Sequence, residues 1–270
     1  MKPSIVLMGS KPGSVVALNI LLNRGWDVKF VVVSRKSNYT WLEGPTLEEE
    51  ANKSNIHVLT QSELPKNISV DFIVSYMFRY RVKLDVIKLG KKGALNFHAG
   101  PLPEYGGWAF YNLAILENAK EYGCTCHFMD EGFDTGPLLK VNRFPINANE
   151  ETAYSLERKA QQEMIKLFVE FCQMAEMGGT LPQVAQDPAK VRYLNQSEFE
   201  KLKEIPMDAD EITKQKYARA FWYPPYGCAF VIHNGIKLEI IPTIVKEEVA
   251  SLLHQDDVKD LYKISENLRE

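Results

Sequence analysis

The chain lacks most of what several function classes require. Its four cysteines, Cys124, Cys126, Cys172 and Cys228, form no Cys-x-x-Cys pair, and the five histidines do not cluster with them at zinc-ligand spacing. Neither a structural metal nor a disulfide framework is therefore expected. Cys124 and Cys126 alternate within a strand-like run and read as small hydrophobic side chains on one face. Basic charge is not in excess: 32 Lys and Arg face 35 Asp and Glu, for a net charge of −3. That balance lacks the basic footprint of a nucleic-acid binder, so no nucleic-acid partner is expected. No apolar run approaches the roughly 20 residues of a membrane span. The opening MKPSIVLMGSKPG is too short in its apolar part for a signal peptide. These absences predict a cytoplasmic protein with no membrane partner. Neither Gly-x-Gly-x-x-Gly nor a P-loop occurs, which leaves a dinucleotide-binding role without support.

What is present is the profile of an ordinary globular protein. Hydrophobic residues make up 45% and charged residues 25% of 270 residues, enough for one main domain with a smaller appendage. Short apolar runs at Ile5–Gly9, Val28–Val33, Ile56–Thr60, Asp71–Tyr76 and Gly93–His98 alternate with helical patterns. Such alternation predicts βαβ units. After His98 come a Pro- and Gly-rich loop, a helix over Trp108–Asn118, strands at Cys124–Asp130 and Leu138–Phe144, and a long helix over Glu150–Met177. The fold class read from this is α/β: a Rossmann-like, mostly parallel sheet with helices on both faces, plus a small C-terminal α+β region. A hairpin is expected there, because Asn234-Gly235 separates two apolar runs. The division expected is a catalytic domain over 1–178, a linker over 179–192 and a small domain over 193–270.

Two features carry chemistry. Asn96-Phe97-His98 ends a strand expected to be parallel, and ligands of open α/β sheets bind beyond the carboxyl ends of the strands. Alternation puts Asn96 and His98 on one side, beside the stiff loop Ala99–Gly107. A lone strand histidine is equally well a satisfied core residue. Asp134 lies in the turn-rich Asp130-Glu131-Gly132-Phe133-Asp134-Thr135-Gly136, which on its own reads as a surface turn.

Taken together these segments resemble the formyltransferases that use N10-formyltetrahydrofolate. The shared pattern is Asn-x-His, a proline-containing loop, a Gly-x-Thr-x-His strand and an Asp-x-Gly loop. The matching positions are Asn96, His98, Leu102-Pro103, Tyr105, Gly107, Gly123, Thr125, His127, Asp134 and Gly136. The resemblance implies three catalytic residues and no metal. Asn96 would donate to the oxyanion of a tetrahedral intermediate. His98 would take the amine proton, imidazole having an ordinary pKa of about 6.5. Asp134 would orient His98 and order a water. For the folate donor, the resemblance implies backbone contacts at Phe78 and Tyr80 and at Asp130, Gly132 and Asp134. Phe78 and Tyr80 also suit plain packing at a strand end.

For the acceptor, the resemblance is strongest to formyltransferases of nucleotide-linked, especially dTDP-linked, 3- or 4-amino-dideoxy sugars. That setting is lipopolysaccharide O-antigen or other surface-glycan biosynthesis, and such enzymes often form homodimers. The run Arg219-Ala220-Phe221-Trp222-Tyr223-Pro224-Pro225-Tyr226 is similar to the C-terminal region of that branch. Trp222, Tyr223 and Tyr226 offer stacking faces for a base, or an aromatic interdomain core. Ser10 and Lys11, before a helix N-terminus, suit phosphate or a tight turn. Arg79, with Arg81 and Lys83, suits a diphosphate or a solvated surface. Trp41 would line a substrate site or cap the sheet edge. The loop lacks the Pro-Ser-Leu-Leu-Pro and Tyr-Arg-Gly forms of the glycinamide ribonucleotide and methionyl-tRNA branches, with Gly106 where arginine is common. Methionyl-tRNA formyltransferase, a formyltetrahydrofolate hydrolase and a nucleotide-binding module without catalysis are the rival readings.

Overall fold

The computed structural model describes residues 2–34, 44–108, 110–246 and 249–250. Trp41 lies outside the described residues, as does most of 245–254, a charged stretch whose sequence predicts a final helix. The described residues form two compact units. The first draws on Met1–Phe110, Glu121–Ile146 and Glu157–Asn195, and the second on Tyr111–Lys120, Asn147–Leu156 and Gln196–Glu270.

In chain order the elements are β1 (Ser4–Gly9), α1 (Pro12–Asn23), β2 (Asp27–Val33), α2 (Leu47–Lys53), β3 (Val58–Leu59), β4 (Val70–Tyr76), α3 (Leu84–Ile87) and β5 (Gly90–His98). Then follow β6 (Gly106–Gly107), α4 (Phe110–Leu116), β7 (Glu121–Phe128), β8 (Leu138–Pro145), α5 (Ala153–Met177) and β9 (Tyr193–Leu194). The chain continues with α6 (Gln196–Lys201), α7 (Glu211–Ala220), β10 (Phe230–His233) and β11 (Ile236–Glu239).

The seven-stranded sheet runs β3-β2-β1-β4-β5-β7-β8. Its first five strands are parallel, and β7 and β8 are antiparallel additions. This is the mostly parallel α/β architecture expected.

Near-continuous apolar strands reflect burial on both sides. Phe72 of β4 and Phe97 of β5 meet Phe171 and Phe168 of α5, with ring centroids 5.3 and 5.1 Å apart. Across the sheet, Val6, Met8, Ile73 and Ala94 cluster with Val82 and with Val86 of α3. Ala94 therefore shares its face with Asn96 and His98, which lie further along the same strand. The α3 cluster covers the start of that face, and the two polar residues occupy its carboxyl end.

Residues 179–192 run against the first unit rather than away from it. Leu138 and Val184 exchange backbone hydrogen bonds of 2.7 and 2.9 Å, and β9 pairs in parallel with β6. In the second unit, Asp210 caps α7 by accepting from the Thr213 amide at 2.7 Å. Asn112 Nδ2 donates to the Ala220 carbonyl at 2.6 Å, holding α4 to the end of α7. β10 and β11 form the expected hairpin. Its turn residues Asn234 and Gly235 have φ of 50° and 78°, as a type I′ turn requires.

All four cysteines are free and buried. Burial pushes the Cys124 and Cys172 thiols up to about 12, so these are packing groups rather than nucleophiles. Among the described residues no helix is long and apolar enough to cross a membrane.

Candidate active site

The antiparallel register of β5 on β7 places Asn96 opposite His127 and His98 opposite Thr125. Side chains at directly opposed positions lie close together, and the first pair is in contact. Asn96 Nδ2 lies 3.1 Å from His127 Nε2. On its other side, Asn96 Oδ1 accepts from Ser75 Oγ at 2.7 Å, Ser75 being its register partner on β4. The serine fixes which end of the amide faces outward: one N–H goes to His127, and the second is left for a ligand.

Thr125 shapes the loop that follows β5. Its Oγ donates to the Gly100 carbonyl at 2.8 Å and accepts from the Leu102 amide at 2.9 Å. The turn is closed by Tyr105 N–H donating to the Pro101 carbonyl at 3.1 Å. This carries the Tyr105 carbonyl to within 2.7 Å of His98 Nε2. A carbonyl only accepts, so Nε2 carries the proton, and Nδ1 holds the lone pair of the neutral ring. By the same reasoning His127 Nδ1 donates to the Phe128 carbonyl at 2.8 Å, and its Nε2 accepts from Asn96.

Asp134 faces both imidazoles. Oδ2 lies 3.7 Å from His98 Nδ1 and Oδ1 lies 3.5 Å from His127 Nε2. Both rings and the carboxylate are largely buried. The distance to His98 is too long for a direct hydrogen bond but short enough for charge on one to be felt by the other. Burial works against the Asp134 carboxylate. Once both rings are protonated, the charge of His98, the Nε2–H and charge of His127, and the Gly107 amide outweigh it and hold the group well below the usual carboxylate range. The Gly107 amide donates to Oδ2 at 3.0 Å. Gly107 has φ of 76°, and a Cβ there would come within 2.7 Å of the Tyr193 ring, so only glycine brings this amide to the aspartate.

The backbone of Asp134 is itself special, with φ of 56°. A non-glycine residue in the left-handed region needs surrounding structure to hold it. Gln186 supplies that hold: its Nε2 donates to the carbonyls of Asp134 and Gly136 at 2.7 and 2.8 Å. The loop before it is closed by Asp130, whose Oδ1 accepts from the Gly132 amide at 2.9 Å and from Thr135 Oγ at 2.6 Å.

The cluster behaves as one unit, so loosening Asn96 should be felt in turnover. Ser75→Ala removes the hydrogen bond that aims the amide, a contribution of about 1 kcal/mol. If Asn96 acts as the resemblance implies, the expected result is a fall in kcat of about fivefold with KM nearly unchanged, read in steady-state kinetics.

Asn96, His98 and Asp134 are thus brought together, and His127 joins them. His127 is visible in the sequence only as the last residue of Gly-x-Thr-x-His, a position whose task the local pattern does not state. The other sequence candidates are placed as follows. Phe78 packs partly against the α3 cluster and meets Tyr80 edge to face at 6.0 Å. Arg81 lies over the Phe133 ring at 5.3 Å, so the loop after β4 meets the loop carrying Asp134. Ser10 Oγ accepts from the Arg79 amide at 3.3 Å, which joins the turn after β1 to the same loop. Lys11 is ion-paired with the buried Glu157. In the second unit Tyr223 contacts Tyr226 and Tyr154, with centroids 5.6 and 6.3 Å apart, and Tyr154 N–H donates to the Trp222 carbonyl at 3.1 Å. Among the described residues no group of three or more His, Cys, Asp or Glu side chains is arranged to hold a metal ion.

Residues 24–172, more than half of the chain, match the formyl transferase family. The chain belongs to that family. It is similar to the GDP-perosamine N-formyltransferase of Brucella melitensis, at 30% identity over 183 residues, covering 67% of this chain and 68% of that protein. It is also similar to the methionyl-tRNA formyltransferase of Thermodesulfovibrio yellowstonii, at 24% identity over 263 residues, covering 92% and 82% of the two chains. Among solved structures it shares the fold of the N-formyltransferase from Helicobacter canadensis in complex with folinic acid and dTDP-3-aminofucose. The TM-score there is 0.70 at 23% identity, over 88% of this chain and 86% of that one. For a formyl transferase, the cluster of Asn96, His98, His127 and Asp134 supplies a hydrogen-bond donor, a basic nitrogen and a buried anion at one sheet edge.

Proposed function

We propose that this formyl transferase moves a formyl group from N10-formyltetrahydrofolate to the amine of a nucleotide-linked amino sugar. The observation that carries the reading is the buried constellation in which Asn96 offers an amide N–H, His98 a lone-paired Nδ1, and Asp134 a fixed negative charge. The bound donor supplies the formyl carbon and oxygen. Asn96 Nδ2 donates to the oxygen that gains charge as the amine attacks, an effect of the kind that costs about 10²–10³-fold in rate when one donor is removed. His98 receives the amine proton at Nδ1 and returns it to N10 of the folate as the bond between the formyl carbon and N10 breaks, so that tetrahydrofolate leaves neutral. Its Nε2–H stays on the Tyr105 carbonyl throughout, and Asp134 stabilises the resulting imidazolium. His127 positions Asn96 and shares Asp134.

The residues fit a folate donor. Tyr80 and Phe133 are about half exposed, at 45% and 50%, and the contact of Arg81 with Phe133 ties together the loops that bear them. Exposed rings beside backbone donors and acceptors suit a flat heteroaromatic ring. The Asp130 carboxylate is occupied within its own loop, so we assign Asp130 and Gly132 to shaping backbone contacts. For the acceptor, support comes from the Brucella relative that formylates GDP-perosamine and from the sugar nucleotide bound to the Helicobacter protein. Ser10 and Arg79, at the carboxyl ends of β1 and β4, are the proposed diphosphate contacts. Lys11 is held by Glu157 and takes a lesser part.

A second reading, formylation of methionyl-tRNA, is favoured by the long match to that relative. The net charge of −3 gives little attraction for a polyanion. Incubation with the folate donor and separate acceptors decides between them, with formyl gain read by mass. We expect a gain on dTDP- or GDP-linked amino sugars and none on methionyl-tRNA. Formylation of the tRNA alone would overturn the sugar assignment. Donor consumption with no acceptor would mean a hydrolase.

A further inference from the structure

The second unit contains a cavity of about 500 Å³ that the formyl-transfer cluster does not use. Asn118, Asn149, Thr213, Lys216 and Arg219 line it. Arg219 is unusual among them. It is only 9% exposed, and its Nε–H is buried with no hydrogen-bond partner among the described residues. Burial alone holds its guanidinium below the ordinary arginine value, with no neighbouring carboxylate acting against that effect. A buried cation without a counter-charge is costly, and structures keep one where an anion repays it.

The rest of the wall points the same way. Lys216, on the same helix and three residues before Arg219, brings a second positive charge. Glu211, which keeps its negative charge, and Gln215 also border the space and are bonded to each other. Gln215 Nε2 donates to Glu211 at 2.9 Å, and its Oε1 accepts from the Thr243 amide at 2.9 Å. Against that one carboxylate stand two cations, with the Asn118 and Asn149 amides and the Thr213 hydroxyl as neutral polar groups. A planar guanidinium fork beside a point-charge ammonium suits the tetrahedral oxygens of a phosphate. The volume exceeds that of a bare ion and falls in the range of small-molecule sites.

We propose that this cavity is a binding site for the phosphoryl group of a small molecule, with Arg219 as its anchor and Lys216 as its second cation. The site is built wholly from the second unit and stands independently of the acceptor assigned above. The ligand is either free phosphate or the phosphoryl end of a nucleoside diphosphate.

The full-length protein, titrated with inorganic phosphate and separately with a nucleoside diphosphate, tests this by NMR at the Arg219 Nε–H, assigned through Arg219→Lys. The expected result is a saturable shift of that signal, weakened about tenfold in Kd in Lys216→Ala, a surface change that leaves the helix cap intact. Saturation by phosphate alone identifies the free ion. Saturation only by the nucleoside diphosphate identifies a phosphorylated organic ligand. A signal that neither titrant moves, or that saturates equally in Lys216→Ala, overturns the proposal.

Discussion

Replacing His98 with asparagine reduces formyl transfer by about 10³-fold while the protein stays folded, the loss expected when a general base is removed. The fold should survive because His98 ends β5 and asparagine is a smaller polar residue, although it gives up the bond from Nε2 to the Tyr105 carbonyl. What disappears is the lone pair at Nδ1. Steady-state kinetics paired with a thermal melt read both quantities together. Turnover within tenfold of wild type, in a protein of unchanged Tm, would show that the proton leaves the amine by another route. A mutant that fails to fold is answered by His98→Gln, which keeps a similar length and the same missing base.

Asp134→Asn is expected to lower kcat by about 10²–10³-fold. Unit charges about 4 Å apart interact by about 4 kcal/mol at an effective dielectric near 20, and each 1.4 kcal/mol is a factor of ten. Asp134 Oδ2 stands 3.7 Å from the nitrogen that becomes charged, so much of that interaction is at stake. Asparagine is the informative replacement because it also tolerates the left-handed backbone, where φ is 56°. Alanine would confound charge with strain.

The same substitution has a signature in stability. The folded-state pKa of Asp134 is depressed, while an unfolded aspartate titrates near 3.9. The stabilisation it contributes is therefore fully present above about pH 4 and is lost as pH falls below that, toward the depressed folded value. The Tm gap between wild type and Asp134→Asn should shrink on acidification below about pH 4. A gap that widened with acid would reverse the sign and remove the assigned charge interactions.

Much of this was legible in the residues, and the remainder was hidden for identifiable reasons. Alternation along Asn96-Phe97-His98 is a period-two signal, so the shared face of the two polar residues follows from the sequence. Phe97 on the other face duly packs into the aromatic cluster under α5. Asp134 is different, because an Asp- and Gly-rich turn says nothing about which way it points. Its position depends on Gly107 and on Gln186, 52 residues further along the chain, and no local pattern reports a contact at that distance. His127 was written in plain sight, but its task emerges only from cross-strand register, which places it opposite Asn96. Arg219 was equally visible, within an aromatic run that drew attention to its rings. That its Nε–H is buried without a partner among the described residues is a property of the packed unit alone.

The group that selects the basic nitrogen of His98 is a main-chain carbonyl, and this has a consequence for how the protein can change. A carbonyl is the same whatever side chain its residue bears. Substitution at position 105 therefore leaves the proton map of the imidazole untouched so long as the turn closes. Adding or deleting one residue between Ala99 and Gly107 would slide a different carbonyl, or none, toward the ring and exchange which nitrogen is basic. The chemistry of this loop is protected against point replacement and exposed to changes in length.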